Sequence, residues 1–163
     1  CPPMVVDVSK TYEATITTSK GDFTVELYPD KAPLAVNSFV FLATEGFYNN
    51  VEFHRVIPGF VAQVGDPTGM GMGGPGYEYA NEISDLKFDS EGVLGVANAG
   101  VDTNGSQFFI TYAAQTSLDG GYTVFGKVIE GMDVVKSLNA VDPQQGITAE
   151  TLDKIISIKI TEK

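Results

Sequence analysis

The chain carries one arginine, Arg55, and one histidine, His54, side by side. The other nine basic residues are lysines. The pair sits inside Phe53-His54-Arg55-Val56-Ile57-Pro58-Gly59-Phe60-Val61-Ala62-Gln63-Val64-Gly65-Asp66-Pro67, a mostly apolar run. A guanidinium is planar, permanently charged and forked, with five donors in fixed geometry, whereas an ammonium is a mobile point charge. A lone arginine here has two readings. One is a salt bridge at the rim of a strand. The other is a directional donor against an apolar slot, placed to stabilise charge that develops during a reaction.

Other chemistries find less support. One histidine and one cysteine do not make a structural zinc site. A Ser-His-Asp hydrolase needs a histidine as proton relay. The sole candidate, His54, alternates to the face opposite Arg55 and reads as a satisfied core histidine, and no serine lies in a G-x-S-x-G elbow. Gly69-Met70-Gly71-Met72-Gly73-Gly74 matches a dinucleotide fingerprint by letter. Pro75-Gly76 follows it where a helix should open, so it reads as a flexible loop. Asn104-Gly105-Ser106 is a formal glycosylation sequon but reads as a turn. Asp102 and Asn104 begin like a calcium loop that no glutamate closes.

A length of 163 residues suits one domain with a real core. The net charge of −11 argues against nucleic acid and against an anionic membrane surface. No apolar run reaches the roughly 18 residues that span a bilayer. The chain opens on Cys1-Pro2-Pro3. That start fits either the lipidated first residue of a secreted protein or the cut end of a longer chain, so the compartment, cytoplasmic or extracytoplasmic, stays open. Residues 1–11 read as a tail and 12–163 as the domain; the oligomer expected is a monomer.

The elements that must position Arg55 follow from periodicity. Ala14, Ile16 and Thr18 alternate, Ser19 to Asp22 turn, and Phe23, Val25 and Leu27 share a face, which predicts a hairpin. Pro33, then Val36, Phe39, Val40 and Ala43, then Gly46 predict a capped helix. Strands are expected at Glu52–Ile57 and Phe60–Val64 around Pro58-Gly59, and a long irregular loop from Asp66 to Gly76. Further strands are expected at Val93–Ala97, Gln107–Thr111 and Thr123–Ile129, with a second helix around Met132, Val135 and Leu138. The chain closes with a strand in which Ile156, Ile158 and Ile160 alternate with Ser157 and Lys159. Many short strands and two helices predict a mainly β protein, a closed barrel with helices over its open ends.

The segment from Phe53 to Pro67, with Gly95-Val96-Ala97-Asn98-Ala99-Gly100, Asn104-Gly105-Ser106-Gln107-Phe108-Phe109-Ile110, Leu118-Asp119-Gly120 and Val124-Phe125-Gly126-Lys127-Val128, resembles the cyclophilin family of peptidyl-prolyl cis-trans isomerases. The resemblance covers about Tyr12 to Lys163. It implies a closed eight-stranded antiparallel β-barrel capped by two α-helices. It implies that Arg55, Phe60, Gln63, Asn98, Phe109 and Leu118 are active-site residues, with Arg55, Gln63 and Phe60 closest to catalysis. Val61, Ala97, Gln107 and Tyr122 would complete the substrate groove. Two positions depart: Ser117 stands where many eukaryotic members have tryptophan, and Tyr122 where they have histidine. Tyr122 still offers a ring and a hydroxyl, but Ser117 has neither the area nor the donor of an indole. Cyclosporin-type ligands are therefore expected to bind weakly.

The implied chemistry is rotation about an Xaa-Pro bond in flexible or unfolded proteins. Amide resonance sets a barrier of about 18–20 kcal/mol, and no covalent bond breaks, so the reaction needs no metal, cofactor or nucleophile. A donor aimed at the prolyl nitrogen acts only once twisting has localised its lone pair. The alternatives are a proline-peptide binding module with little catalysis and, more remotely, a hydrolase built on His54.

Overall fold

The alternation in residues 12–27 produces a tight hairpin. Strands β1 (Tyr12–Thr18) and β2 (Gly21–Leu27) pair in unbroken register from Tyr12↔Leu27 to Thr18↔Gly21, with Ala14, Ile16, Phe23 and Val25 buried together. The computed structural model describes residues 2–148 and 151–163. Cys1, on which the lipid-anchor expectation rests, lies outside them.

Helix α1 (Pro33–Thr44) starts on its proline and buries Val36, Phe39, Val40 and Ala43. Its first free N–H groups have no local cap. Glu82, remote in sequence, supplies one: its carboxylate accepts from Leu34 N at 2.9 Å and Ala35 N at 2.8 Å. The expected strands follow, the first of them shortened from Glu52–Ile57 to its last three residues, as β3 (Arg55–Ile57), β4 (Val61–Val64), β5 (Val93–Val96), β6 (Phe108–Thr111), β7 (Val124–Glu130) and β8 (Ile155–Glu162). Helix α2 (Met132–Lys136) lies between the last two and packs on β2, while α1 packs on β8. All ladders are antiparallel, in the order β3-β4-β6-β5-β7-β2-β1-β8. Phe39, Tyr48, Phe108 and Phe125 meet as tilted and edge-on rings at the centre of the core.

The closed barrel does not form. β3 and β8 are the free edges of a sheet curled into an open half-barrel. β3 is only three residues long, and the chain before it turns through Gly46 to Asn50. Too little regular backbone remains to pair the edges, so single contacts span the gap: a Glu52↔Lys154 bridge, Asn50 N to Ile155 O at 2.7 Å and Phe53 N to Asp153 O at 2.8 Å.

Two details of the strand and turn readings also change. In β8 the pairing runs Thr18↔Ile155 and then Thr17↔Ser157, so Ile156 is a bulge residue. Ile156 is exposed, whereas Ile155 is buried with Ile158 and Ile160 partly covered on its face. At the sequon, the turn falls on Val101 and Asp102, and Asn104 is fully buried in a bridge to Tyr79, where no glycan can reach. At the other end, Asn37 of α1 binds the residues read as a tail, accepting from Val5 N and Val6 N and donating to Pro3 O.

Candidate active site

The site is built across four strands at once. Arg55 pairs with Gln63 between β3 and β4, Gln63 with Phe109 between β4 and β6, and Phe109 with Gly95 between β6 and β5. Residues directly opposite in antiparallel strands share a face, so these four form one transverse row. The next row, Val56, Ala62, Ile110 and Leu94, belongs to the main core. Alternation therefore turns the Arg55 row to the other side of the sheet. There a second apolar cluster forms from Val61, Phe88, Val93, Phe109 and Val124, with Phe60, Leu118 and Tyr122 packed against it. This is why every residue of β5 and β6 is buried: the two faces of the sheet are covered by different clusters.

A cavity of about 220 Å³ opens over this second cluster, lined by Arg55, Phe60, Val61, Gln63, Ala97, Asn98, Phe109, Leu118 and Tyr122. Of the site residues expected from the sequence, all but Gln107 reach it. Gln107 stands just outside, its Oε1 accepting from Gln63 Nε2 at 3.0 Å. It lines an adjoining groove of about 580 Å³ that shares Gln63, Ala97 and Asn98 and runs on past Gly71 to Glu78.

Among the described residues Arg55 makes no rim salt bridge. Among the described residues no carboxylate lies within ion-pair distance of it, and its buried Nε has no hydrogen-bond partner. Its Cζ lies 5.8 Å from the centroid of the Phe60 ring, within cation–π range. An unsatisfied buried donor costs about 1–3 kcal/mol, a cost that a ligand acceptor removes. Phe109 forms the apolar floor, packed edge-on by Tyr122 at 5.6 Å. Asn98 brackets the far side: its Nδ2 donates to Gly121 O at 3.3 Å. Among the described residues, neither main-chain group of Asn98 is hydrogen-bonded. Ser117 lies exposed in the short 3-10 turn Thr116–Leu118 and adds no ring to the rim.

His54 lies outside both cavities. It is buried as expected but not satisfied, since its Nδ1 has no partner. Burial lowers its pKa, which keeps the imidazole neutral, and the nearby Asp66 carboxylate only partly opposes this. Among the described residues no cluster of three metal-ligating side chains occurs, and no helix is long and apolar enough to cross a membrane.

Three contributors escaped the sequence reading. Phe88 is fully buried and stacks on Phe109 at 5.4 Å, so it supports the floor from below. Nothing marks it in a stretch without periodicity. Asp119 is its anchor, accepting from Phe88 N at 2.8 Å. Asp66 is the third. It is fully buried at the start of the glycine loop, accepting from the main chain of Thr68, Met70, Gly71 and Met72. Burial alone raises its pKa, but hydrogen bonds from the loop main chain and the Thr68 hydroxyl outweigh it and leave the carboxyl at about 2. The loop expected to be flexible is thus wound around one charge. Its signal was available: an aspartate followed by Thr68 and closely spaced glycines.

The chain as a whole is similar to known proteins. A family model for cyclophilin type peptidyl-prolyl cis-trans isomerases matches residues 13–161. A peptidyl-prolyl cis-trans isomerase-like 1 of Emericella nidulans is 46% identical over 154 residues, covering 92% of this chain and 95% of that protein. A peptidyl-prolyl cis-trans isomerase of Arabidopsis thaliana is 50% identical over 133 residues, covering 79% of this chain and 81% of its own. The crystal structure of a cyclophilin type isomerase from Cryptosporidium parvum superposes with a TM-score of 0.86 at 37% identity, covering 93% of this chain and 98% of that one. A second structure of that protein, obtained in the presence of the dipeptide Ala-Pro, gives 0.85. With a half-barrel fold, a family match over nearly its whole length and close relatives on both measures, this chain belongs to the cyclophilin-type peptidyl-prolyl cis-trans isomerases.

Proposed function

We propose that the chain accelerates rotation about Xaa-Pro bonds in flexible or unfolded protein segments, with no covalent intermediate and with Arg55 stabilising the twisted amide. The observation that carries this reading is the unpartnered buried Nε of Arg55 beside a ring-sized cavity floored by Phe109. The proline ring would lie on Phe109 between Phe60, Val61 and Leu118, and the 220 Å³ cavity is smaller than the roughly 300 Å³ from which pockets for larger ligands begin. Ala97, Tyr122 and the free main-chain groups of Asn98 would hold the peptide on one side, Gln63 and Gln107 on the other. As the amide twists, the prolyl nitrogen regains its lone pair and becomes an acceptor. A donor already desolvated and fixed gains most at that point, so it binds the transition state better than either ground state. A 10⁵-fold acceleration requires about 7 kcal/mol, within reach of one such donor, a desolvated slot and several main-chain bonds.

The test is Arg55→Ala in an NMR exchange experiment on an Xaa-Pro peptide. Loss of a preorganised donor of this kind lowers the rate by about 10²–10³-fold, with the dispersed spectrum of the folded domain retained. A rate within threefold of wild type removes Arg55 from the mechanism. A binding module with little catalysis is the second reading, favoured by the open rim at Ser117. It predicts peptide-induced shifts without faster cis–trans exchange. The same small side chain supports weak binding of cyclosporin-type ligands.

A further inference from the structure

Gln63 stands opposite Arg55 across the β3–β4 ladder, but its carboxamide is oriented from outside the cavity. Gln63 Nε2 donates to Gln107 Oε1 at 3.0 Å, and Gln107 Nε2 donates to the carbonyl oxygen of Gly73 at 3.0 Å. A main-chain carbonyl can only accept. It therefore fixes which end of the Gln107 amide faces the loop, and Gln107 in turn fixes which end of Gln63 faces away from the cavity. The order of bonds runs inward from Gly73 to the site.

The loop that leads into Gly73 is wound around Asp66. The buried carboxylate accepts from Gly71 N at 2.6 Å, Thr68 N at 2.8 Å, Met72 N at 3.0 Å, Met70 N at 3.1 Å and the Thr68 hydroxyl at 2.7 Å. The backbone at Gly73 passes so close that a Cβ there would stand 3.0 Å from Asp66 Cγ and nearer still to Oδ1. Little else anchors this loop. Its largest side chains, Met70 and Met72, are 77% and 89% exposed, so apolar packing does not hold it in place.

We infer that Asp66 is a positioning residue for isomerisation: by winding residues 68–73 around its carboxylate it fixes the Gly73 carbonyl, and through Gln107 it sets the Gln63 carboxamide in the site. The inference rests on the isomerase reading for its kinetic consequence, but the hydrogen-bond relay is measurable without it.

The test is a double-mutant cycle on the whole chain with Asp66→Asn and Gln107→Leu. Kinetics on an Xaa-Pro peptide are read together with the side-chain amide NMR resonances of Gln63. Asp66→Asn keeps the shape but turns amide donors toward N–H groups. It is expected to lower kcat/KM about fivefold, a fraction of the roughly 10²-fold that a 1 Å misplacement costs, and to shift the Gln63 Nε2 resonances. Gln107→Leu should do the same, and the double variant should lose no more than the worse single one, because both act through one chain of bonds. Losses that multiply, or Asp66→Asn with unshifted Gln63 resonances, overturn the relay. A wild-type protein that binds the peptide without accelerating exchange overturns the isomerase reading instead, and the resonances then decide the relay alone. Should Asp66→Asn not fold, Thr68→Val removes one donor from the same carboxylate and carries the comparison at about twofold amplitude.

Discussion

Gly95→Ala places a methyl group where the Arg55 row ends. A Cβ at this position would stand 2.8 Å from both Cε1 and Cζ of Phe88, and closer still to Phe109 Cζ. Carbon atoms prefer about 3.5–4.0 Å, so each ring must retreat by roughly an ångström. Phe88 cannot move inward, being fully buried, and it is tethered by its main chain to Asp119. The easier path is outward movement of Phe109 into the 220 Å³ cavity that it floors. Overpacking of this kind costs about 1–3 kcal/mol. At about 2 kcal/mol, the melting temperature of a domain this size falls by roughly 4–8 °C. The isomerisation rate should fall at the same time, by about tenfold, because the slot is narrowed rather than its donor removed. Thermal unfolding followed by circular dichroism reads the first effect and NMR exchange the second. Phe88→Leu makes room below the floor, so Gly95→Ala should cost less in that background than alone. A melting point within 1 °C of wild type with an unchanged rate would refute the packing of these three residues as the floor of the site.

Catalysis should be nearly independent of pH around and above neutrality, since a guanidinium stays protonated throughout and burial shifts His54 toward its neutral form; a bell-shaped profile in the exchange assay would point to a titrating group instead. Stability behaves differently. Asp66 at about 2 is lowered from an ordinary 3.8, so its contribution is complete above about pH 5 and is lost as pH falls toward 2. It amounts to about 2 kcal/mol, and the gap in melting temperature between wild type and Asp66→Asn should close over that range. His54 adds in the same direction as pH falls below its ordinary 6.5. Asn37→Ala removes the acceptor shared by Val5 N and Val6 N; it should cost about 1–2 kcal/mol and speed hydrogen exchange at both amides while leaving the isomerisation rate unchanged.

Much of this architecture was legible in the chain. The β1–β2 hairpin and α1 announce themselves through period-2 and period-3.6 burial, with Pro33 and Gly46 as punctuation, because those signals depend on neighbours a few residues apart. The residues of the cavity were legible too, through the resemblance that their motifs carry, and all but Gln107 line it. Local signals also misled. Alternation over Ile156, Ile158 and Ile160 ignored the bulge that β1 imposes, and a count of strands could not say whether the edges meet.

What the amino-acid sequence determined by itself was the set of elements and the inventory of chemistry: one guanidinium, one histidine, and the apolar and carboxamide side chains that could line a groove. What only the tertiary structure decided was alignment. Arg55, Gln63, Phe109 and Gly95 become one row through cross-strand register, and Gln63 meets Gln107 across 44 residues of chain. Phe88 and Asp66 matter through partners that no local pattern names. Periodicity is a property of neighbouring residues, whereas register and buried hydrogen bonds are settled by which distant groups can be satisfied together when the sheet curls.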